Sequence, residues 1–390
     1  MLSLALMDSR NRTLRWINLF EELLGPAVAP VPFRPEAERP LWMLGHIGWF
    51  QEAWIARNLQ RDRGERCDVT LPRLMSIDPQ ADGLYDPAQS LPGDRWQLPL
   101  PGAQAIRQYL AETLDVTLDL LESADESDDV LYFYRLALFH EDVQCEAFAT
   151  LASTLGLNTR GEEGLLRPIK SPAPLNALLY PATRWTLGAE RGGFVFDNEK
   201  WAHEISVPEF EIDAQPVSWA QYAEFVEDGG YDEQRWWSEA GWKWVQAVNR
   251  RGPRHVEQLR QGVLVQREGR LMRVPMNQPV MHVSWYEAEA WCRWAGRRLP
   301  SEVEWDMAAR SGSSRGFRWG DVWEWVASSL NPYPGFASSP ASTSRADFGV
   351  HKVMRGASIA TMGRMRSPTY RNHRPADHDE MYVGFRSCSV

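Results

Sequence analysis

Nineteen tryptophans are spread very unevenly along this chain: five lie before residue 100 and fourteen from Trp185 onward. Large aromatic side chains fill a core where regular ladders are short, so this asymmetry divides the molecule into two parts built on different principles. The length, 390 residues, suits two or three domains at roughly 100–200 residues each. An apolar share of 44% suffices for packed cores and excludes wholesale disorder. The net charge of −10 argues against a nucleic acid or an anionic membrane as partner, since both attract basic proteins. No apolar run reaches the ~20 residues that span a bilayer. The first ten residues show no basic region ahead of an apolar core, so no secretory leader is expected and a cytoplasmic location is. Cys67, Cys145, Cys292 and Cys388 lack CxxC spacing, which suits a reducing compartment and offers no cysteine-based zinc cluster.

Residues 1–160 are expected to form a four-helix bundle, 161–182 a linker, and 183–390 a second domain, giving an α+β chain. Helical spacing of apolar residues runs over 2–24, stopped by Gly25-Pro26, and over 41–58 behind the breaker Pro40. It resumes over 102–122, breaks at the acidic stretch 125–129, and returns over 130–155. Residues 62–101, rich in Asp, Pro and Gly, read as a long excursion of functional or mobile character. Four prolines within 161–182 mark the linker. Beyond it the pattern predicts short strands at 185–188, 195–196 and 205–212. Helices are expected after Ser218, over about 284–295, and, shorter, behind the capping box Ser301/Glu304. The rest is expected to be irregular.

His46 and His140 fall in the second and fourth helical segments, and Gln144 stands one turn after His140 on the same face. Side chains converging from facing helices can hold a metal in a bundle core. A lone histidine in an apolar helix is more often a hydrogen-bonded core residue, and His140-Glu141-x-x-Gln144 falls one residue short of the zinc-protease HExxH pattern.

Pro40-Leu-Trp-Met-Leu-Gly-His-Ile-Gly-Trp-Phe-Gln-Glu52, with His140-Glu141-Asp142, resembles the metal-binding DinB-like bundle of the ergothioneine-type sulfoxide synthases. The second half resembles their formylglycine-generating-enzyme-like (sulfatase-modifying factor) domain, of C-type-lectin-like fold. Its landmarks include Val283-Ser-Trp-Tyr-Glu-Ala288, Arg298-Leu-Pro-Ser-Glu-Val-Glu-Trp305, Met354-Arg-Gly356, Tyr370-Arg-Asn372 and Gly384-Phe-Arg386. Leu2-Ser-Leu-Ala-Leu-Met-Asp8, Asp142 and the closing Arg386-Ser-Cys388 look closest to the selenoneine synthase branch. The resemblance implies a non-haem Fe(II) enzyme with its active site where the domains meet. It implies that O2 is used to join a chalcogen to hercynine, the betaine of histidine. The donor is a selenosugar in the selenium branch and a cysteine-containing thiol in the sulfur branch.

The same resemblance puts iron ligands at His46, His140 and the position of Gln144, where the family has histidine. An amide oxygen is a harder and weaker donor than imidazole toward a divalent transition metal. A site-disabling substitution, a relative with altered metal use, and a retired, non-catalytic small-molecule-binding relative all stay open. The family's two tyrosines after the turn Pro332-Tyr-Pro-Gly-Phe336 fall, by register, on Pro340 and Thr343, which leaves the general acid unassigned. Near the C-terminus an Asp and an Arg that clamp the thiol donor become Arg374 and His378, inverting the charge preference toward a neutral or anionic sugar. Asn372 matches a residue that contacts the betaine, and His373 beside it is expected among the substrate-binding residues. Val143 stands where some relatives carry a substrate-contacting glutamine, and Tyr85 and Arg95 resemble positions near the donor. Trp323 and Trp325 are expected to fill the core rather than stack on ligand, and Asp197-Asn198-Glu199 to be a turn rather than a calcium site.

Overall fold

The computed structural model describes residues 1–25, 33, 37–160, 162–342 and 344–390. Backbone packing gathers them into two units. The first comprises Met1–Leu155, Thr159–Leu165 and Gly192–Phe194; the second comprises Gly156–Asn158, Leu166–Arg191 and Val195–Val390.

The first unit is helical: α1 (Leu2–Leu24), α2 (Pro40–Trp54), the short α3 (Ala81–Tyr85), α4 (Ala103–Glu122) and α5 (Asp128–Thr154). In α1, Leu6, Thr13, Trp16, Ile17 and Phe20 are buried at helical spacing, and Gly25, at φ 89°, ends it. Pro40 opens α2, where a fixed φ and a missing N–H cost nothing. The helix is buried on nearly all sides, so it forms the centre of the bundle. The acidic stretch 125–129, expected as the break before the last helix, ends inside it, with Ser127 as the cap and Asp128 as the first residue of α5. Ser127 accepts a hydrogen bond from the Val130 N–H, and Asp128 and Asp129 occupy the first turn, where carboxylates complement the helix dipole.

The excursion between α2 and α4 is tied down. Buried Glu52 on α2 accepts from Ser76 Oγ (2.7 Å), Ile77 N (2.7 Å) and Tyr109 OH (2.7 Å). Arg57 grips Asp82 with two 2.7 Å bonds, and Asp82 also accepts from Trp49 Nε1 (2.7 Å). This loop is therefore a packed part of the bundle that carries α3 onto α2.

The second unit holds β1 (Leu178–Tyr180), β2 (Thr183–Leu187), β3 (His203–Val207) and β4 (Phe210–Ile212), then α6 (Trp219–Glu227) and α7 (Glu239–Val248). Next come β5 (Val256–Gln258), β6 (Val263–Arg267), β7 (Arg270–Val274), α8 (Trp285–Trp294), β8 (Arg297–Arg298) and α9 (Glu302–Ser311). It closes with β9 (Trp323–Ser329), β10 (Lys352–Gly356), β11 (Arg371–Arg374), β12 (Val383–Phe385) and β13 (Cys388–Ser389). Two four-stranded sheets run β1-β4-β13-β8 and β11-β10-β9-β12, with β12 parallel to β9. The segment expected as a linker ends in β1, which pairs with β4; Gly161, at its start, lies outside the described residues.

More of this unit is regular than its sequence suggests. The unexpected hairpin β6–β7 turns through Glu268-Gly269, both at positive φ as a two-residue hairpin loop requires. Helix α7 has Ser238 as cap and Asn249 in the left-handed conformation behind it. The capping box at Ser301 forms as expected, and α9 is as long as α8 rather than shorter. Residues 195–196, expected as a strand, are irregular.

Trp305, Trp323 and Trp325 are wholly buried, and the indoles of Trp305 and Trp325 donate hydrogen bonds. Trp325 Nε1 donates to the Val283 carbonyl (2.8 Å) and Trp305 Nε1 to Glu324 (2.8 Å). Much of the buried charge is paired. Glu302 bridges Arg355 (2.8 Å) and Arg371 (2.7 Å), Asp306 holds Arg355 (2.6 Å), and Glu324 holds Arg386 (2.8 Å). Sequence landmarks of the second half are thus largely the joints of its core.

Candidate metal centre

Helix α2 presents His46 in a tightly determined pose. Trp42, one turn earlier, stacks on its ring (centroids 4.8 Å apart, planes 9° apart), and Trp49 follows on the other side in sequence (5.6 Å, 22°). His46 Nδ1 lies 2.9 Å from the Tyr85 carbonyl oxygen. A carbonyl only accepts, so Nδ1 carries the proton and Nε2 keeps its lone pair, the arrangement a metal-ligating histidine needs. That carbonyl is delivered by α3, whose Tyr85 ring rests on Gly45: a Cβ at Gly45 would stand 2.1 Å from the ring. The glycine of Leu44-Gly-His46 therefore permits the loop to reach the histidine.

Helix α5 brings His140 to a ring-centroid distance of 5.0 Å from His46, edge to face at 72°. Phe50 stacks on His140 (3.7 Å, 9°), closing one side with an apolar ring. One turn on, Gln144 places its amide nitrogen 3.4 Å from His140 Nε2. Turning that amide about its last torsion brings the oxygen, a metal donor, to the same place. Burial pushes the His46 imidazolium pKa down to about 4, with the Tyr85 carbonyl pulling the other way. Burial, then His46, holds His140 well below the ordinary range. Both rings are neutral at physiological pH, the state in which imidazole binds metal. Two neutral imidazoles and an amide oxygen fit a divalent transition cation, more weakly than three imidazoles would.

The remaining polar residues of this α5 turn are committed to the bundle. Glu141 takes Arg10 (2.9 Å) and Thr13 (2.7 Å), and Asp142 accepts from Ser9 (2.8 Å). Glu141 is thus engaged in a buried ion pair, which removes the resemblance to a zinc-protease general base. Arg95 lies 4.2 Å over the Trp42 ring, pairs with Glu38, and donates to the Pro87 and Ser90 carbonyls. It supports the Trp42–His46 stack. Tyr85 contributes its carbonyl to His46, and Val143 is half-buried on α5.

In the second unit, Asn372, His373 and Arg374 lie on β11, opposite Met354, Val353 and Lys352 of β10. Asn372 Oδ1 accepts from the His373 N–H (2.8 Å), and Arg374 donates to the His373 carbonyl (2.8 Å). His378 Nδ1 is 2.6 Å from Glu380. The cluster is therefore mixed in charge, where the sequence suggested a basic one; the signal passed over was Asp379-Glu380, next to His378. Thr343 lies outside the described residues. Asn198, within the turn 197–199, donates to the Arg371 carbonyl (3.0 Å) and so steadies β11, a structural role. Sequence reading also missed Asp347 and His351, whose four-residue spacing pairs them across one helical turn.

The chain divides into a helical unit with a histidine pair at its centre and a tryptophan-rich mixed unit, and comparison with known proteins matches both. Residues 6–140 match the DinB superfamily, and residues 176–321 match the sulfatase-modifying factor enzyme 1-like domain. A hercynine oxygenase of Mycobacterium tuberculosis is 30% identical over 98% of this chain and 96% of its own length. That of Mycolicibacterium smegmatis is 29% identical over 97% and 96%. A formylglycine-generating enzyme of Streptomyces coelicolor is 35% identical over 36% of this chain and 49% of its own. The chain belongs to the ergothioneine-type sulfoxide synthase family.

Among the described residues, no helix is long and apolar enough to cross a membrane.

Proposed function

We propose that this protein is an iron-dependent oxidoreductase that uses O2 to join a chalcogen to the imidazole ring of hercynine, with a selenosugar as donor. The observation that carries the reading is the His46–His140 pair on facing helices, with Gln144 one turn on and His46 Nδ1 fixed by the Tyr85 carbonyl. Near full-length similarity to hercynine oxygenases supports the substrate, and Arg374 in place of an acidic residue supports a sugar-type donor over a peptide-like thiol.

Iron(II), held by His46, His140 and the Gln144 amide oxygen, supplies the redox capacity and open coordination positions that O2-dependent chemistry needs. The chain's own residues do the rest. The Tyr85 carbonyl fixes the tautomer and angle of His46. Trp42, Trp49 and Phe50 keep water from the two imidazoles and hold them neutral. In the second unit, the resemblance assigns Asn372 to the betaine and Arg374 to an anionic or hydroxyl-rich donor, roles their amide and guanidinium would suit.

Two features keep other arms in the test. Gln144 favours weakened iron use, and the His378–Glu380 pair makes a zwitterionic glutamyl-cysteine donor admissible, giving a carbon–sulfur product. The protein, loaded anaerobically with iron(II), is mixed with hercynine, O2 and either a selenosugar or glutamyl-cysteine, and products are identified by mass spectrometry. A carbon–selenium product is expected, formed faster by Gln144→His. A carbon–sulfur product alone overturns the donor assignment. No product from either protein, with no stoichiometric iron, overturns the synthase reading.

A further inference from the structure

Outside the bundle, one cluster of ligand-type side chains converges in the second unit: Asp347, His351 and His373. Among the described residues it is the only group of three or more His, Cys, Asp or Glu whose ligand atoms all lie within 4.8 Å of one another. Asp347 and His351 stand one turn apart, the His351 N–H donating back to the Asp347 carbonyl (3.0 Å). His373 comes from β11, directly opposite Val353, two residues after His351.

One ring nitrogen from each histidine and one Asp347 oxygen lie within 4.8 Å of one another. His351 Nδ1 is 3.0 Å from His373 Nδ1, and carboxylate oxygens of Asp347 are 3.5 Å from His351 Nε2 and 3.8 Å from His373 Nδ1. Ligands about 2.0–2.1 Å from a tetrahedral zinc stand about 3.3 Å apart, so His351 would offer one nitrogen only, Nδ1 beside His373 or Nε2 beside Asp347, and a small turn of a side chain would close the set. The scaffold on each side is fixed. Leu330 N donates to the His351 carbonyl (2.8 Å), and Arg371 of the same strand as His373 is locked on Glu302. All three side chains are partly buried, which leaves a route of entry.

We propose that Asp347, His351 and His373 form a second metal site, for a divalent first-row transition cation, that ties the segment before β10 to β11. Two imidazoles and one carboxylate are a donor set that zinc and iron(II) both accept. The Asp347 carboxylate would supply negative charge toward a dication. The site shares no residue with the bundle histidines, and its His373 lies between the Asn372 and Arg374 of the functional reading above.

The same contacts can close as hydrogen bonds alone, and the test separates the two. Chelator-treated full-length protein is titrated with Co2+, reading visible d–d absorption and stoichiometry, in wild type, His140→Ala, His351→Ala and Asp347→Asn. Bound cobalt is expected to persist in His140→Ala. The wild-type stoichiometry should fall by one in His351→Ala, and Asp347→Asn should weaken that site by roughly 100-fold or more with an unchanged circular dichroism spectrum. Should His140→Ala misfold, the difference between wild type and His351→Ala decides the matter. Equal cobalt binding in wild type, His351→Ala and Asp347→Asn overturns the proposal.

Discussion

Both units bury charged pairs, Arg10–Glu141 in the first and Glu302 with Arg355 and Arg371 in the second, and both bury neutral imidazoles; the two kinds of group do different work. In the second, buried ions are answered by ions: Glu302 lies between Arg355 and Arg371, and Glu324 receives Arg386. In the first, beside the buried Arg10–Glu141 pair, His46 and His140 are neutral imidazoles, sandwiched by Trp42 and Phe50, with a single carbonyl setting one tautomer. Charged pairs that satisfy each other have nothing left to offer a ligand, and they specify a fold. Neutral rings held in register by stacking and one hydrogen bond keep a donor atom available, and they specify a site. Both kinds of residue sit inside sequence motifs, so a motif alone does not tell a joint from a ligand.

The sharpest way to break this contrast is Glu302→Gln, which leaves Arg355 and Arg371 short of a buried counter-charge. About 3–5 kcal/mol of stability should be lost from the second unit, seen as an earlier urea transition, while iron binding in the bundle is unchanged. Next is Gly45→Ala. Its methyl displaces the Tyr85 ring and with it the carbonyl that orients His46, so iron(II) affinity should fall roughly 10–100-fold, as for loss of an outer-shell partner. An unaltered affinity would show that the Tyr85 contact does not set the tautomer.

A pH titration probes the imidazoles buried in the second unit. His255 and His282 of the second unit stand edge to face at 5.0 Å among Arg250, Arg254 and Arg267, with Glu380 nearby. Burial, then Arg254, lowers His255 to about 4; burial, then His255, holds His282 well below its ordinary value. Both remain neutral when folded, whereas the unfolded chain protonates them below about pH 6.5. Their contribution is therefore fully present above pH 6.5 and is lost as pH falls toward 4, by about 1.4 kcal/mol per unit for each ring. His255→Gln should flatten that slope in thermal melts. The smallest effect is expected from Tyr85→Phe, which keeps the carbonyl and the ring. Iron affinity should stay within about threefold, since only the backbone oxygen touches His46.

Much of the bundle was legible in sequence because helical spacing, the stop at Gly25 and the breaker Pro40 are local signals. The start of α5 was misplaced because Asp128 and Asp129 read equally as a polar break or as the first turn of a helix; only the Ser127 cap distinguishes them. The β6–β7 hairpin was missed although Glu268-Gly269 carries a turn signature, since polar Gln266 and Arg267 blur the alternation. For the site, His46, His140 and Gln144 were visible through resemblance and helix spacing, and the structure brings them together. Tyr85's true contribution was invisible, because a backbone carbonyl has no residue signature. The Asp347–His351–His373 cluster was hidden for another reason: it joins a turn to a strand across more than twenty residues, a distance that only the β10–β11 register closes.

The most direct measurement is an anaerobic iron(II) titration of wild type, His46→Ala and Gln144→His, followed by stoichiometry and by displacement with a competing chelator. Wild type is expected to bind iron in the bundle, His46→Ala to lose that iron, and Gln144→His to hold it at least about tenfold more tightly. Equal iron binding by wild type and His46→Ala, or no gain in Gln144→His, would contradict the assignment of His46, His140 and Gln144 as the iron site.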